Sequence, residues 1–490
     1  MKKFVFLLLI IHCSIIIANA QWQPDMRLTN DPAGSFTSNN NARCVAAIGD
    51  FVHVVWSDYR DGIDNTEIYY KRSTNGGISW GTDIRLTNNP AYSGFPTVSV
   101  SGMIIHVVWY DGRDGNDEIY YKRSTDGGTS WGVDTRLTSN SSPSESPSMS
   151  VSSSTVHVVW FDSRDGNFEI YYKRSTDGGT SWGADTKLSN SHSYSDAPAI
   201  SVYGQVVHVV WNDYRDGNME IYYKNSTNGG TSWGEDTRLT NDPASSDNPC
   251  LSASGTYVHI VWDDDRDGFR NIYYKRSTDS GINWGADIRL TNNITTPQYP
   301  SILLSGLFVH AVWEDLRDGN FEIYYKRSTD GGVNWEADVR LTNNPAFSFR
   351  PSVAISGVVV HVVWEDFRDG SSGRIYYKRN PSGNVGIQNI SSEIPSGFSL
   401  YQNYPNPFNP VTKIKFDIAQ HTPYPLSRGE NVTLKIYDIT GREIQTLVKE
   451  KLNPGSYEVT FDGSNFVSGV YFYQLRTRDF IETKKLVLLK

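Results

Sequence analysis

The sequence predicts an all-β chain: a seven-bladed β-propeller closed by its N-terminal strand, plus a small C-terminal antiparallel β-sandwich. Three observations carry this. A Val-His-Val-Val-Trp segment recurs seven times with small variations, its Trp at Trp56, Trp109, Trp160, Trp211, Trp262, Trp313 and Trp364. A Ser-x-Asp-x-Gly-x-x-Trp segment recurs between these six times, with Asn in place of Asp in two copies. A lone strand-like segment near the N-terminus matches the piece that the seventh repeat lacks. Aromatic residues make up 13% of the 490 residues and charged residues only 20%, a balance that favours strands over helices.

In chain order, the first element is a targeting segment. Lys2 and Lys3 precede an apolar run from Phe4 to Ile17, and Ala18-Asn19-Ala20 gives a small-x-small cleavage site before Gln21. Residues 1–20 read as a signal peptide, cleaved near Ala20. His12 precedes Cys13, where a lipoprotein signal needs a small residue, so lipidation is not expected. No later segment approaches the ~20 apolar residues that span a bilayer, so no transmembrane segment is expected after signal removal. Cys44 and Cys250 then remain, in equivalent strands of different blades. They are expected across the channel from one another, beyond the ~7 Å Cα limit for a disulfide, as free buried thiols.

Residues 21–380 form the repeat region. The blade Trp spacing is 53 residues once and 51 thereafter. One unit reads as four short strands: Thr97–Ser101 leading to the Ser-Gly turn, Ile105–Trp109, Glu118–Arg123, and a strand through Arg136-Leu137-Thr138. Four strands per repeat of this length is a propeller blade. The turn before the fourth strand carries Asn75, Asp126, Asp177, Asn228, Asp279 or Asp330. It ends at Trp80, Trp131, Trp182, Trp233, Trp284 or Trp335. Its carboxylate or amide oxygen is expected to accept backbone N–H groups, its Gly to supply φ > 0 and its Trp to pack on the sheet. The seventh unit stops at Tyr376-Tyr377-Lys378-Arg379-Asn380. Trp22-Gln23-Pro24-Asp25-Met26-Arg27-Leu28-Thr29 matches Trp80–Thr87 and is expected to complete that blade, removing an exposed edge.

The turn motif resembles the Asp box, or bacterial neuraminidase repeat, of sialidases and related propellers. That resemblance implies the blade and says nothing about activity. Sialidases of this fold use three arginines, a Tyr nucleophile with a Glu partner and an Asp acid, and carry an early Arg-Ile-Pro motif. Here that motif is absent, and Phe349-Arg350-Pro351 only echoes it in another blade. The catalytic set is not carried over.

Residues 381–396 are polar, with Pro, Gly and Ser, and read as a linker. Residues 397–490 alternate as a small antiparallel sandwich. Leu400-Tyr401-Gln402-Asn403-Tyr404-Pro405-Asn406-Pro407-Phe408-Asn409-Pro410, Val432–Asp438, Gly455-Ser456-Tyr457, Gly469–Tyr473 and Lys484–Lys490 resemble, in order, the type A sorting domain of the type IX secretion system. The resemblance implies export across an outer membrane, a contact with the secretion machinery through residues 397–490, and a secreted or outer-membrane surface location. An insertion, Gln420 to Gly429, departs from the compact pattern.

The loop after each second strand reads Asp-x-Arg-Asp-Gly. It is expected to form a turn with Arg–Asp bridges between neighbouring blades. A calcium loop and a sevenfold ring of sugar sites are the alternatives, and the central Arg opposes a dication. The seven blade histidines lie on different blades, so no metal site and no cofactor is expected. The Tyr-Tyr pairs read as core, one ring to each face. One substrate at one centre needs residues that break the symmetry. Aligned by distance from the blade Trp, these are Arg43 and Arg350 on one side of the channel mouth, and Glu145, Asp196 and Asp247 on the other. Tyr299, Phe349 and Phe95 lie nearby. The arginines suit a carboxylate sugar, and a carboxylate suits a general acid; the bland alternative is a set of variable solvated loop residues. The formal net charge of −9 lacks the basic stripe that nucleic acid requires. Binding of an extracellular glycan or polymer is the favoured function. A sialidase-like glycoside hydrolase acting on acidic sugars and a structural surface module without a small ligand are the alternatives.

Overall fold

The computed structural model describes residues 22–38, 43–292, 294–381, 388–391, 395–409, 411–419, 430–452, 454–463 and 466–489. The signal segment 1–20, the insertion 420–429 and residues 382–387 and 392–394 of the expected linker lie outside the described residues. The chain divides into two compact units, residues 22–381 and 382–490, taken separately below.

The first unit is a seven-bladed β-propeller of antiparallel sheets. Blade two is representative, with strands Ser93–Ser101, Ile104–Asp111, Glu118–Ser124 and Thr135–Arg136. The fourth strand is only two residues long. Leu137 and Thr138 nevertheless continue its bonding: the Leu137 N–H donates to Ile119 O at 2.7 Å and the Ile119 N–H to Thr138 Oγ1 at 2.8 Å. Blade seven takes Ser348–Ser356, Val359–Asp366 and Arg374–Asn380 from the end of the repeat and Met26–Arg27 from its start. Met26 pairs with Tyr377 and Arg27 with Tyr376.

Each blade is built around a buried charge. The Asp two residues after the blade Trp is fully buried in all seven blades. In blade two, Asp111 accepts bonds from Trp109 Nε1 at 2.9 Å, Ser93 Oγ at 2.9 Å, and the Arg113 Nε and Nη2 groups at 2.8 and 2.6 Å. The Arg113 guanidinium lies 4.3 Å above the Tyr120 ring and reaches Asp134 at 2.8 Å, just before the fourth strand. Blade seven repeats this with Arg368 on Asp366 and on Asp25 of the N-terminal segment. These Arg–Asp bridges were expected between neighbouring blades and instead stay within one. The reason is reach: the Arg folds back over its own Tyr, between its own second and fourth strands.

Neighbouring blades are joined by other groups. The Lys122 ammonium bonds to Leu86 O of the preceding blade and pairs with Asp134 at 2.8 Å. Arg72 of blade one bonds to Gly127 O in the turn of blade two. That turn leaves no room for a side chain. Gly128 has φ +82°, and a Cβ there would meet the Tyr70 hydroxyl of blade one at 2.0 Å. Trp131 stands edge-on to the same Tyr70 ring, centroids 4.9 Å apart. The equivalent contact of Trp22 with Tyr325, at 5.0 Å, places the N-terminal segment in the seventh position.

The turn oxygens behave as their chemistry requires. Asn75, Asp126, Asp177, Asn228, Asp279 and Asp330 each accept the backbone N–H four residues on, all at 2.9 Å. The Ser130 hydroxyl, its backbone N–H and Ser124 hold the Asp126 carboxyl well below the usual range. Cys44 and Cys250 are buried free thiols. Each blade His shares a buried hydrogen bond with a Tyr hydroxyl of the next strand, as His106 does with Tyr121 at 2.7 Å.

The second unit packs two four-stranded sheets over a core that includes Phe416, Leu434, Tyr473 and Leu486. One sheet holds Gln388–Ser391, Gly455–Asp462, Val411–Ile418 and Ser399–Leu400; the other holds Glu443–Leu452, Glu430–Tyr437, Gly469–Arg476 and Ile481–Leu488. Gln388–Ser391 is a strand where a linker was expected. A polar edge strand needs only one partner, here Gly455–Asp462, and its composition mimics a loop. Among the described residues no helix is long and apolar enough to cross a membrane.

Two predictions follow from the propeller. Deleting residues 22–30 removes Trp22, Asp25 and the outer strand of blade seven together. The melting temperature is expected to fall and amide exchange in Arg374–Asn380 to accelerate; an unchanged melt would show that the ring does not depend on this segment. The second concerns pH. Burial lowers the seven histidines to about 4 (His53, His106, His157, His208) or about 3 (His259, His310, His361). They stay neutral in the fold, while the unfolded chain protonates them below about 6.5. Stability therefore falls as pH drops through 6.5 toward 4. Asp117, Glu145, Asp196, Asp263, Glu314 and Glu365, raised by burial, oppose this but are fewer than the seven histidines. Thermal melts from pH 7 to pH 5 are expected to show a steady decline, and a flat profile would refute neutral buried histidines.

Candidate functional site

The first strand of each blade lines a central channel, and the start of that strand forms one mouth. Six of these strands begin with a bulge. The register shifts between Gly94 and Thr97 in blade two and at the equivalent place in blades three to seven. Inside each bulge sits a non-glycine residue with φ between 46° and 53°: Phe95, Ser146, Ala197, Asn248, Tyr299 and Arg350. A proline follows each of them. Such a conformation costs ~1–3 kcal/mol per residue and is held only by well-bonded surroundings, and bulges of this kind re-aim side chains.

The bulge also sets up a cross-strand pair. In blades two to seven the residue fifteen before the blade Trp faces the residue just after it, and in blade one Phe36, twenty before, takes that place. The pairs are Phe36–Ser57, Gly94–Tyr110, Glu145–Phe161, Asp196–Asn212, Asp247–Asp263, Gln298–Glu314 and Phe349–Glu365. Sequence reasoning used only the first column. The second column supplies Asn212, Asp263, Glu314 and Glu365. Its signal was present in the sequence: the residue after the Trp changes from blade to blade, whereas the Asp beyond it never does.

The structure joins Asp196 and Asp247. The Asn212 Nδ2 group donates to Asp196 Oδ1 at 3.0 Å and to Asp247 Oδ1 at 2.5 Å. Burial and the Asp247 charge raise Asp196 to about 6. Asp263 is fully buried, and burial and the Asp247 charge hold it well above the usual carboxylate range although Arg270 pairs with it at 2.9 Å. Glu145 shares no bond with this group. Its carboxyl is raised by burial and by Asp117.

The two arginines do not act as a pair. Arg43 crosses the channel and its Nη2 donates to Leu251 O of blade five at 3.3 Å. The Arg350 side chain stays in blade seven, where its Nη1 donates to Glu365 Oε2 at 3.3 Å, while its backbone N–H donates to Glu314 Oε2 of blade six at 2.6 Å. They share no partner among the described residues. Arg43 stands where other blades have a bulge proline, so its side chain is aimed into the channel and not along the mouth. Glu314 and Glu365 are 1% and 2% exposed. Burial drives both to about 7, while Arg350 holds them down and Glu314 pushes Glu365 up.

Aromatic rings surround these groups. Tyr194 stacks on Tyr214 at 5.3 Å, Tyr110 on Phe95 at 5.1 Å and on Tyr92 at 5.6 Å. The Tyr299 phenol is raised by burial, with the Arg350, Glu314, Asp263 and Asp247 charges acting on it. Phe349 packs with Phe321, Phe347 and Phe367, at 5.2 to 5.7 Å, and is thereby a wall more than a contact point. Among the described residues no three carboxylate, His or Cys groups are placed to hold a metal ion. In the Asp-x-Arg-Asp-Gly loops the carboxylates are already bonded to Arg, Trp and Tyr, which removes the oxygens that calcium would use.

Residues 402–489 match the family of secretion system C-terminal sorting domains. That tail marks export by the type IX system, so the protein is secreted or displayed at the outer-membrane surface and engages the secretion machinery. No curated protein matches the chain in sequence. Among solved structures, the polysaccharide lyase Uly1 is similar in fold: TM-score 0.51, 11% identity, 73% of this chain and 98% of the lyase covered. The phage phi92 endosialidase gives a TM-score of 0.45 at 12% identity, covering 88% and 80%. The Trypanosoma rangeli sialidase gives 0.43 at 11% identity, covering 83% and 85%.

Replacing Arg350 by Ala removes the cation beside Glu365. Its carboxyl is expected to titrate above its native value of about 7, read from side-chain carbonyl NMR shifts. A value that stays or falls would show that Arg350 does not govern it.

Proposed function

We propose that the propeller binds an extracellular glycan or polymer at this mouth, on a chain exported with its leader and sorting tail. The observation that carries the reading is the break in sevenfold symmetry. Blades two to seven share one backbone frame but present different carboxylates, amides and rings on it. A symmetric ring needs no such variation for stability. Tyr and Phe faces stack on the C–H faces of sugar rings, while fixed carboxylate and amide groups bond hydroxyls. The shared bonding of the six turns, four with Asp and two with Asn, supports reading the repeat as the Asp-box type. The fold likeness at 11% identity carries no activity, so the reading rests on the mouth.

Glu314 and Glu365 favour a second reading. A buried carboxyl titrating near 7 is what a general acid needs, which supports glycoside hydrolysis.

The test is a glycan array probed with the full mature chain, with mass spectrometry of the supernatant. Specific glycans are expected to be retained, and Tyr299→Ala is expected to weaken retention about tenfold, or ~1.4 kcal/mol. No retained glycan would refute binding. Released sugar that disappears with Glu365→Gln would establish the hydrolase.

A further inference from the structure

Below the Arg43 crossing, the channel holds a cavity of about 240 Å³ lined by all seven blades, with Arg43, Ser99, Ser150, Ser201 and Ser252 among its walls. Three of these serines are used in the same way. Ser150 Oγ accepts the Val202 N–H at 3.2 Å, Ser201 Oγ the Ala253 N–H at 3.0 Å, and Ser252 Oγ the Leu304 N–H at 3.2 Å. Each bond crosses to the next blade and fixes the oxygen, and each hydroxyl keeps its own proton to donate. No acceptor for these protons occurs among the described residues. The cavity therefore presents fixed O–H donors from blades three, four and five.

Arg43 adds a cation to the same wall. A guanidinium carries five N–H donors, and here one long bond to Leu251 O is formed. It has no carboxylate partner among the described residues, and the segment before it, Asn39-Asn40-Asn41-Ala42, contains no acid. Cys250 is the ionisable group beside it. Burial pushes that thiol up, so it stays protonated and supplies no negative charge. Burial lowers the Arg43 guanidinium, and a half-buried cation without a counterion is costly. The side chains lining the cavity carry one charge, the Arg43 cation, and otherwise only hydroxyls and apolar groups, which suits an anion and repels a cation.

We propose that the channel cavity is a binding site for a small monovalent anion, of halide to formate size, held between the Arg43 guanidinium and the hydroxyls of Ser150, Ser201 and Ser252. The site is separate from the mouth and independent of any glycan. Its bound anion neutralises Arg43, which links blade one to blade five across the channel, so occupancy stabilises the ring.

Bromide is the probe. In crystals of the full mature chain soaked in sodium bromide, an anomalous peak is expected inside the channel beside Arg43. In solution, the melting temperature is expected to be higher in bromide than in gluconate, a bulky anion, at equal ionic strength. It should rise by a similar step for each tenfold increase in bromide. Arg43→Met is expected to abolish the bromide response while Arg350→Ala retains it. If Arg43→Met does not fold, Ser201→Ala is expected to weaken the response instead. Bromide bound only on the outer surface, as an adventitious ion, would overturn the proposal. So would a bromide response that is the same in wild type and in the variant that folds.

Discussion

The structure depends on one aspartate, two residues after the blade Trp, that every blade buries as a negative charge. A carboxylate without exposure is tolerated only when its oxygens are fully bonded. Here an indole N–H, a serine hydroxyl and two guanidinium nitrogens bond Asp111, and the pattern recurs around the ring. The Arg that neutralises it is itself pinned between a Tyr face and a second Asp. One network thus ties the second, third and fourth strands of a blade. It also fixes the loop next to the mouth. The residue between the Trp and this Asp is therefore held at a constant place, whatever its identity.

That constancy explains the candidate site. The bulge and the Trp–Asp step form a rigid frame with two variable positions per blade. Where both are polar, as at Asp196–Asn212 and Asp247–Asp263, they form a bonded cluster; where aromatic residues gather, as with Tyr92, Phe95 and Tyr110, they stack. The strain of the bulge is sustained by the hydrogen-bonded strands on either side. Rigidity in the frame and freedom in its occupants suit a binding surface.

The propeller was legible because its signals are local and repeated. Trp56 to Trp364 mark the strands, and Trp22 with Asp25 identify the displaced seventh piece. The mouth was legible only by half. Spacing from the Trp found Asp196, Asp247 and Arg350, but a linear alignment cannot show which residue lies across the ladder, so Glu314 and Glu365 were missed. It also cannot show where a long side chain ends. Arg43 and Arg350 occupy adjacent columns of the repeat, yet one spans the channel and the other bonds within its own blade. The Arg–Asp bridges were misplaced for the same reason. At Gln388–Ser391 composition misled, because a polar edge strand and a linker use the same residues.

The seventh blade has a further consequence for how the molecule is made. The Ile375 N–H donates to Thr29 Oγ1, a bond between residues 346 apart in the chain. The inner six blades are each assembled from neighbours in sequence and are able to form as the chain emerges. The last has to wait until both ends of the repeat region are present, and pairing across such a loop is slow. During that interval the edge of Arg374–Asn380 is open to pairing with another chain. An exported protein of this topology therefore carries its greatest exposure to misassembly at the final step of folding, after nearly all of its core has formed.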